Sequence, residues 1–479
     1  MSDCCQEVIN TAPTKRSCSN LTAFIVCLGC VVVLLDISIV NVALRPIATG
    51  LGGRLSDLQW IVDAYTVTFA SFLLTAGTAG DRFGNREVFA GGFLVFTIAS
   101  IVCGAATNLA ALIGARVLQG IGAALIIPCS LTLVNHAYED PGQRAQAFGW
   151  WAGSGGAAVA AGPVIGGFLI HSFGWRSIFY VNVPIGLAAL FLTYRYIQRE
   201  QPRPGQSIDW SGQLVSLFAL AALTTVLIEG ANWGWGSTWV IALSAAFIGL
   251  TLLFIAIEHR QSQPMLPLTL FRSSPFTIST LLGLLLSFSF YGLIFTLSLY
   301  FQQARHYTPL ETGFAFLPVT GLLTVMNVFS GRLGAARGMR FPIVTGFVLA
   351  GIGYLWLAFV TGTTTSYSTF LAPLLCVGAG VPLILPPLTT VVLASVDRPQ
   401  VGLASATLNT GRQIGAAAGV AVLGSLLTAA PSFVVGFQWG MIISSIIYLI
   451  GMVLTLRFVP HSPRSRIDYK EGTGGVAAE

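Results

Sequence analysis

The chain has 479 residues, of which 54% are hydrophobic and only 9% are charged, with a formal net charge of +6. A soluble domain carries roughly one-quarter charged residues, so a water-soluble globular fold is excluded and an integral membrane protein is read instead. The positive balance forms no basic stripe with interleaved aromatics, which removes nucleic acid as a partner; its meaning lies in which side of a membrane the arginines occupy.

Residues 1–20 are polar, carry Lys15 and Arg16, and read as a cytoplasmic tail. The apolar run that follows is long and lacks a small-residue cleavage site, so it is a retained span and not a signal peptide. Apolar runs of about 20 residues, the length that crosses a bilayer, begin there and recur along the chain. They cover 21–44, 58–79, 88–107, 109–134, 146–170, 174–194, 212–230, 238–257, 277–301, 310–331, 341–361, 366–391, 402–428 and 436–459, about fourteen helices. With the N-terminus inside, the inner segments collect Lys15, Arg16, Arg82, Arg86, Arg144, Arg195, Arg199, Arg203, Arg260 and most later basic residues. The outer loops keep Arg45, Arg54, Arg176 and Arg305. This bias predicts a multi-pass inner-membrane protein with both termini in the cytoplasm. Cys4, Cys5 and Cys18 lie in the tail without neighbouring ligands, and the other cysteines fall inside apolar runs as small core residues. No metal and no cofactor is expected.

An internal repeat sets the domain plan. Gly120-Ile-Gly122-Ala-Ala-Leu125-Ile126-Ile127-Pro128 in the fourth span matches Gly378-Ala-Gly380-Val-Pro-Leu383-Ile384-Leu385-Pro386 in the twelfth, and the same offset carries Gly153 onto Gly411 and Gly166 onto Gly424. A register held across two helices points to two similarly oriented halves. The plan is a tail over 1–20, a six-helix half over 21–197, a linker with two additional helices over 198–260, a second six-helix half over 261–459 and a tail over 460–479.

Six stretches carry chemistry, in chain order. The first span holds Asp36 and Asn41 in Leu35-Asp36-Ile-Ser-Ile-Val-Asn41-Val-Ala-Leu44-Arg45-Pro46, and a carboxylate in hydrocarbon is by default a functional candidate. Gln59-Trp60-Ile-Val-Asp63-Ala-Tyr65 opens the second span and puts Asp63 in the same layer. Gly77-Thr-Ala-Gly80-Asp81-Arg82-Phe83-Gly84-Asn85-Arg86 joins spans two and three; its glycines permit a tight turn, and Asp81 can accept from a helix N-terminus of the other half. Arg116 in the fourth span cannot shed its charge and needs a carboxylate, for which Asp36 is the preferred candidate. The fifth span, Trp151 to Gly167, places small residues at four-residue spacing around Gly153, Gly162, Pro163, Gly166 and Gly167, which lets another helix approach to backbone contact. In the second half, Arg412 and Gln413 follow Leu408-Asn409-Thr-Gly411, where Arg412 is either buried or snorkelling to the cytoplasmic edge.

These motifs, in this order over nearly the whole chain, resemble those of the fourteen-helix drug:proton antiporter family of the major facilitator superfamily. Arg45, Ala79 and Asn85 depart from the family pattern. The resemblance implies an all-α integral membrane protein with the major facilitator fold, two six-helix halves plus two inserted helices. It implies proton-coupled efflux of amphipathic compounds by alternating access, with Asp36 and Arg116 coupling protons and with Gly77, Asp81, Arg82, Gly84 and Arg86 as a conformational latch. The fifth span would be the antiporter helix. Substrate-binding residues are not a fixed motif in that family. The unpaired carboxylate Asp63, with Tyr65, Phe69, Phe290 and Tyr291 as aromatic walls, points to lipophilic cations. Export of one endogenous metabolite or antibiotic is the alternative. A membrane hydrolase built on Gly153-Ser154-Gly155 lacks a histidine at matching depth, and a passive channel lacks a charged ring or filter loop. The expected partners are small molecules, protons and the bilayer, and a periplasmic adaptor stays open.

Overall fold

The structure, a computed structural model, describes residues 12–138, 140–199, 208–261, 264–362, 365–397 and 400–459. The tail cysteines Cys4 and Cys5, the Cys18 side chain, most of the predicted linker and the predicted C-terminal tail lie outside what is described. Among the described residues the elements are helices without strands. They are α1 (Ala12–Leu51), α2 (Leu55–Phe83), α3 (Asn85–Ala105), α4 (Leu109–Ala137), α5 (Pro141–Phe173), α6 (Ser177–Tyr180), α7 (Asn182–Tyr196), α8 (Trp210–Trp233) and α9 (Thr238–Arg260). After them come α10 (Ser274–Leu299), α11 (Pro309–Ala315), α12 (Leu317–Arg337), α13 (Arg340–Val360), α14 (Tyr367–Ala394), α15 (Val401–Ala429) and α16 (Phe433–Phe458). Among the described residues, thirteen helices are long and apolar enough to cross a membrane. The α11–α12 pair makes the remaining segment, broken in two and less apolar. The face on which α1 begins is called proximal below and the opposite face distal.

Three predicted spans differ from the observed helices, and proline explains two of them. The span over 174–194 divides into α6 and α7, where Pro184 denies the Tyr180 carbonyl its helical donor. The span over 310–331 breaks at Phe316, two residues before Pro318, into α11 and α12. By contrast α1 does not stop near residue 44 but runs through Pro46 to Leu51.

That continuation follows a rule used at three places in the fold. A proline inside a helix frees the carbonyl four residues earlier, and in hydrocarbon that carbonyl needs another donor. Pro46 frees Val42, and Gln302 Nε2 from the π-helical turn Tyr300–Ala304 donates to it at 3.1 Å. Pro163 frees Val159, and Ser38 Oγ of α1 donates to it at 2.8 Å. Pro387 frees Leu383, and Ser330 Oγ of α12 donates to it at 2.8 Å. Each proline thereby becomes a point of attachment between helices.

The sequence repeat is a repeat of contacts. A Cβ on Gly122 would lie 2.7 Å from the Phe96 nitrogen and 2.9 Å from the Gly92 carbonyl oxygen of α3; one on Gly380 would lie 2.6 Å from the Ala350 nitrogen and 2.8 Å from the Gly346 oxygen of α13. Gly120 meets the backbone of Tyr65 in α2 as Gly378 meets that of Val319 in α12. Backbone-to-backbone packing at equivalent positions makes α1–α7 and α10–α16 two copies of one six-helix plan. Between them α8 and α9 pack on each other, and α8 lies along the seam of α2 with α15. Outside that contact α9 presents Trp239, Ile248 and Leu252 outward, as a lipid-facing helix does.

The halves are sealed on the distal side. Gln59 Nε2 donates to the carbonyls of Val420 at 3.1 Å and Ala421 at 2.8 Å. Ser298 Oγ donates to the Asn41 carbonyl at 2.6 Å, Arg45 donates to the Gln302 carbonyl, and Thr320 Oγ1 reaches the Ala160 carbonyl at 3.3 Å. On the proximal side the glycines Gly77, Gly149, Gly153, Gly331 and Gly402 have open space where a side chain would stand. The side-chain hydrogen bonds between α1, α2 and α5 and the second half thus lie away from the proximal end, where these glycines have no close neighbour.

The proline rule is testable by rescue. Ser38→Ala leaves the Val159 carbonyl without a donor and is expected to lower the melting temperature of the detergent-solubilised protein, by the roughly 0.6 to 2 kcal/mol of an interhelical hydrogen bond. Adding Pro163→Ala restores an N–H at that turn and should recover most of the loss. Failure of the double variant to recover would sink this account of the α1–α5 contact.

Candidate functional site

The centre of the N-terminal half is a closed network of charge. Asp36 of α1 and Arg116 of α4 are 0% and 1% exposed, and Arg116 Nη1 lies 2.5 Å from Asp36 Oδ2. Gln119, one turn after Arg116, accepts from Arg116 Nη1 at 2.7 Å and donates to Asp36 Oδ1 at 2.9 Å. Its amide also donates to Ser100 Oγ of α3 at 2.9 Å. Asn182, at the start of α7, donates to Asp36 Oδ1 at 3.0 Å. Arg116 Nε donates to the Ile61 carbonyl of α2 at 3.0 Å, and the guanidinium lies over the Tyr65 ring, 4.2 Å from its centroid. Five helices thus supply partners to one ion pair. Burial of two charges is tolerated only when their remaining donors and acceptors are met in this way.

Asp63 is the opposite case. It lies two residues after Ile61, is 0% exposed, and neither carboxylate oxygen has a hydrogen-bond partner. The Tyr65 hydroxyl is also buried without a partner. Tyr65 packs on Phe69 with ring centroids 5.9 Å apart, and Phe290 meets Tyr291 edge to face at 5.5 Å. Asp36 and Asp63 therefore occupy neighbouring depth, one saturated with donors and one with none.

The fifth span touches both halves through different glycines. Gly162 and Gly166 face α1, where added Cβ atoms would fall 2.4 Å from Ser38 Oγ and 2.6 Å from Ile39 Cγ1. Gly167 faces α11, 2.6 Å from the Pro309 carbonyl oxygen, and Gly313 of α11 packs on the Pro163 carbonyl. Gly153 has no close neighbour.

At the proximal end, Gly84 takes φ 96° in the turn between α2 and α3, a conformation that favours glycine. Arg86 donates to the Tyr194 carbonyl of α7 at 2.7 Å and stacks on the Tyr194 ring, while Arg82 lies over Phe83. Asp81 makes no hydrogen bond or ion pair among the described residues. Gly77 has no close neighbour.

Arg412 and Gln413 are half-buried at mid-height of α15. Arg412 does not extend to the proximal edge as a snorkelling side chain would; its stem crosses Gly283 of α10 and its Nη1 donates to Asn409 Oδ1 at 3.1 Å.

Sequence reasoning named Asp36, Asp63 and Arg116 because charge in hydrocarbon is conspicuous. It assigned no part to Gln119, Ser100 or Asn182, since neutral polar residues in membrane helices carry no comparable signal. Trp60 of α2 donates to Glu229 of α8 at 3.2 Å.

Comparison with known proteins agrees with this architecture. Residues 26–420 match the sequence profile of the Major Facilitator Superfamily. The multidrug resistance protein Stp of Mycobacterium tuberculosis is 37% identical over 410 residues, which is 85% of this chain and 76% of that one. The methylenomycin A resistance protein of Streptomyces coelicolor is 35% identical over 438 residues, 91% of each chain. Among solved structures, the human organic anion transporter MFSD10 (TETRAN) superposes with a TM-score of 0.63 at 17% identity, covering 91% of this chain and 99% of that one. With its doubled six-helix plan, its inserted helix pair and its match to the profile over most of its length, the chain belongs to the major facilitator superfamily, a membrane transporter and not an enzyme.

Proposed function

We propose that the protein exports amphipathic, drug-like compounds across the inner membrane in exchange for protons, by alternating access of the central cleft. The arginine bias supports placing the proximal face, both termini and the 198–209 segment in the cytoplasm, so that the side of the halves not sealed by hydrogen bonds is the inward-facing one. The relatives named for multidrug and antibiotic resistance support the export direction. The observation that carries the coupling is the contrast at the centre: Asp36 held by Arg116, Gln119 and Asn182 beside Asp63 with no partner.

In this reading the Asp36–Arg116 pair is the coupling element. A proton on Asp36 weakens its hold on Arg116 and, through the Ile61 carbonyl and the Tyr65 ring, alters the fit of α2. Asp63 and Tyr65 hold the cationic part of a substrate, and a proton at Asp63 competes with that cation. The latch Gly77, Asp81, Arg82, Gly84 and Arg86 engages when the proximal side closes, and the glycine face of α5 is the surface on which the halves pivot. The second reading, export of one endogenous antibiotic, is favoured by the relative named for resistance to a single compound. A resistance and dye-efflux panel in an efflux-deficient host, with and without an uncoupler, separates the two by the breadth of the profile. Resistance that persists unchanged with the uncoupler defeats proton coupling.

Neutralising one member of a buried pair typically costs about 3 to 5 kcal/mol, so Asp36→Asn is expected to abolish uncoupler-sensitive efflux while some inserted protein remains. Full activity of that variant, or loss matched entirely by loss of folded protein, overturns the coupling role. Asp63→Asn is expected to lose quaternary ammonium dyes more severely than neutral compounds of the same size. Equal loss of both classes in a matched efflux series removes Asp63 as the cation site.

A further inference from the structure

The fixed charges of the two halves are not settled in the same way. In the N-terminal half the one buried arginine, Arg116, has its carboxylate. In the C-terminal half Arg412 has none within ion-pair distance among the described residues. It lies eleven residues into α15, roughly 16 Å along the helix at 1.5 Å per residue. Its Nη1 has only the neutral Asn409 oxygen at 3.1 Å, and its Nε is buried without any acceptor. A guanidinium does not shed its proton, and in the middle of a bilayer it is costly unless an anion or water meets it.

Arg412 interacts electrostatically with the Tyr291 phenol of α10, and Tyr291 interacts in turn with Tyr65 of α2, the ring on which Arg116 lies. The stem of Arg412 packs on Gly283 of α10, the helix that also carries Tyr291, and both side chains are half-buried. The groups present are a planar fork of N–H donors and a phenol, with no acidic group in ion-pair reach among the described residues. A carboxylate matches that set, because two parallel N–H···O bonds suit its two oxygens.

We propose that Arg412 docks the carboxylate of the exported molecule, so that amphipathic organic acids and zwitterions belong to the substrate range. This rests on the export reading and adds a second pole to it. A zwitterion places its cationic group toward Asp63 on one wall and its carboxylate at Arg412 on the other. Because Arg412 keeps its charge at every working pH, it selects for the anionic group without competing for protons.

The test is a matched pair of dyes: rhodamine 110, which carries a free carboxyl group, and rhodamine 123, its methyl ester. Uncoupler-sensitive efflux is measured in cells, and equilibrium binding is measured on the purified protein in detergent. Arg412→Gln is expected to weaken rhodamine 110 binding and efflux roughly tenfold, the size of a lost charge-assisted contact, and to leave rhodamine 123 within about twofold of the parent by the same measure. Arg412→Lys should recover part of the rhodamine 110 signal, and retained rhodamine 123 binding shows that both variants are folded. Equal loss of the two dyes, no change in either, or a parent protein that binds rhodamine 123 but not rhodamine 110 overturns the proposal. Selective binding of rhodamine 110 lost in Arg412→Gln, without efflux of either dye by the parent, upholds the carboxylate site and defeats the export reading instead.

Discussion

Two charges buried beyond the reach of solvent must be answered by everything around them, and the Asp36–Arg116 pair is answered by most of the N-terminal half. Asp36 comes from α1 and Arg116 with Gln119 from α4; Ser100 of α3, the Ile61 carbonyl and Tyr65 ring of α2, and Asn182 of α7 complete the set. An ion pair in low dielectric contributes little net stability once desolvation is counted. Its importance is in specification. Each helix that supplies a partner is held at one rotation and one depth, since any other leaves a charge or an amide unmet.

Beyond the pair, the fold is held by close backbone approach and by repair of broken helical hydrogen bonds. Lipid offers helices no hydrophobic drive to associate, so contact between small residues and interhelical hydrogen bonds carry the packing. The prolines at 46, 163 and 387 release carbonyls that Gln302, Ser38 and Ser330 recover from neighbouring helices. The first of these joins the two halves on the distal side, together with Gln59, Ser298 and Arg45. A seam made of single hydrogen bonds to carbonyls can be undone one contact at a time, whereas the interior of each half, where Gly122 meets Gly92 and Gly380 meets Gly346, is packed backbone on backbone.

Much of this was legible in the order of residues. Length and hydrophobicity decide for a membrane protein because a bilayer demands about 20 apolar residues per crossing. The repeat of Gly120–Pro128 at Gly378–Pro386 was visible because close helix contact accepts almost nothing but glycine and alanine. Charged residues in apolar runs stood out for the same energetic reason, which is why Asp36, Asp63, Arg116 and Arg412 could be named from the chain alone. The break of the tenth segment at Phe316 and the passage of α1 through Pro46 were less legible, since a proline ends or bends a helix according to whether a neighbour takes up the freed carbonyl.

What the chain by itself determined, then, was the class of fold, the number and order of its segments and the identity of its intramembrane charges, all of which follow from local composition set against the cost of polar groups in lipid. Only the tertiary structure decided which charges are paired. Asp36 and Asp63 look alike in sequence, and so do Arg116 and Arg412, because the difference between a satisfied and an unsatisfied charge rests on donors contributed by helices far apart in the chain. Arg116, Gln119 and Asn182 converge on Asp36, with Ser100 behind Gln119, and none reaches Asp63. That choice is made by the packing of helices, to which a neutral side chain contributes no visible mark until its neighbours are in place.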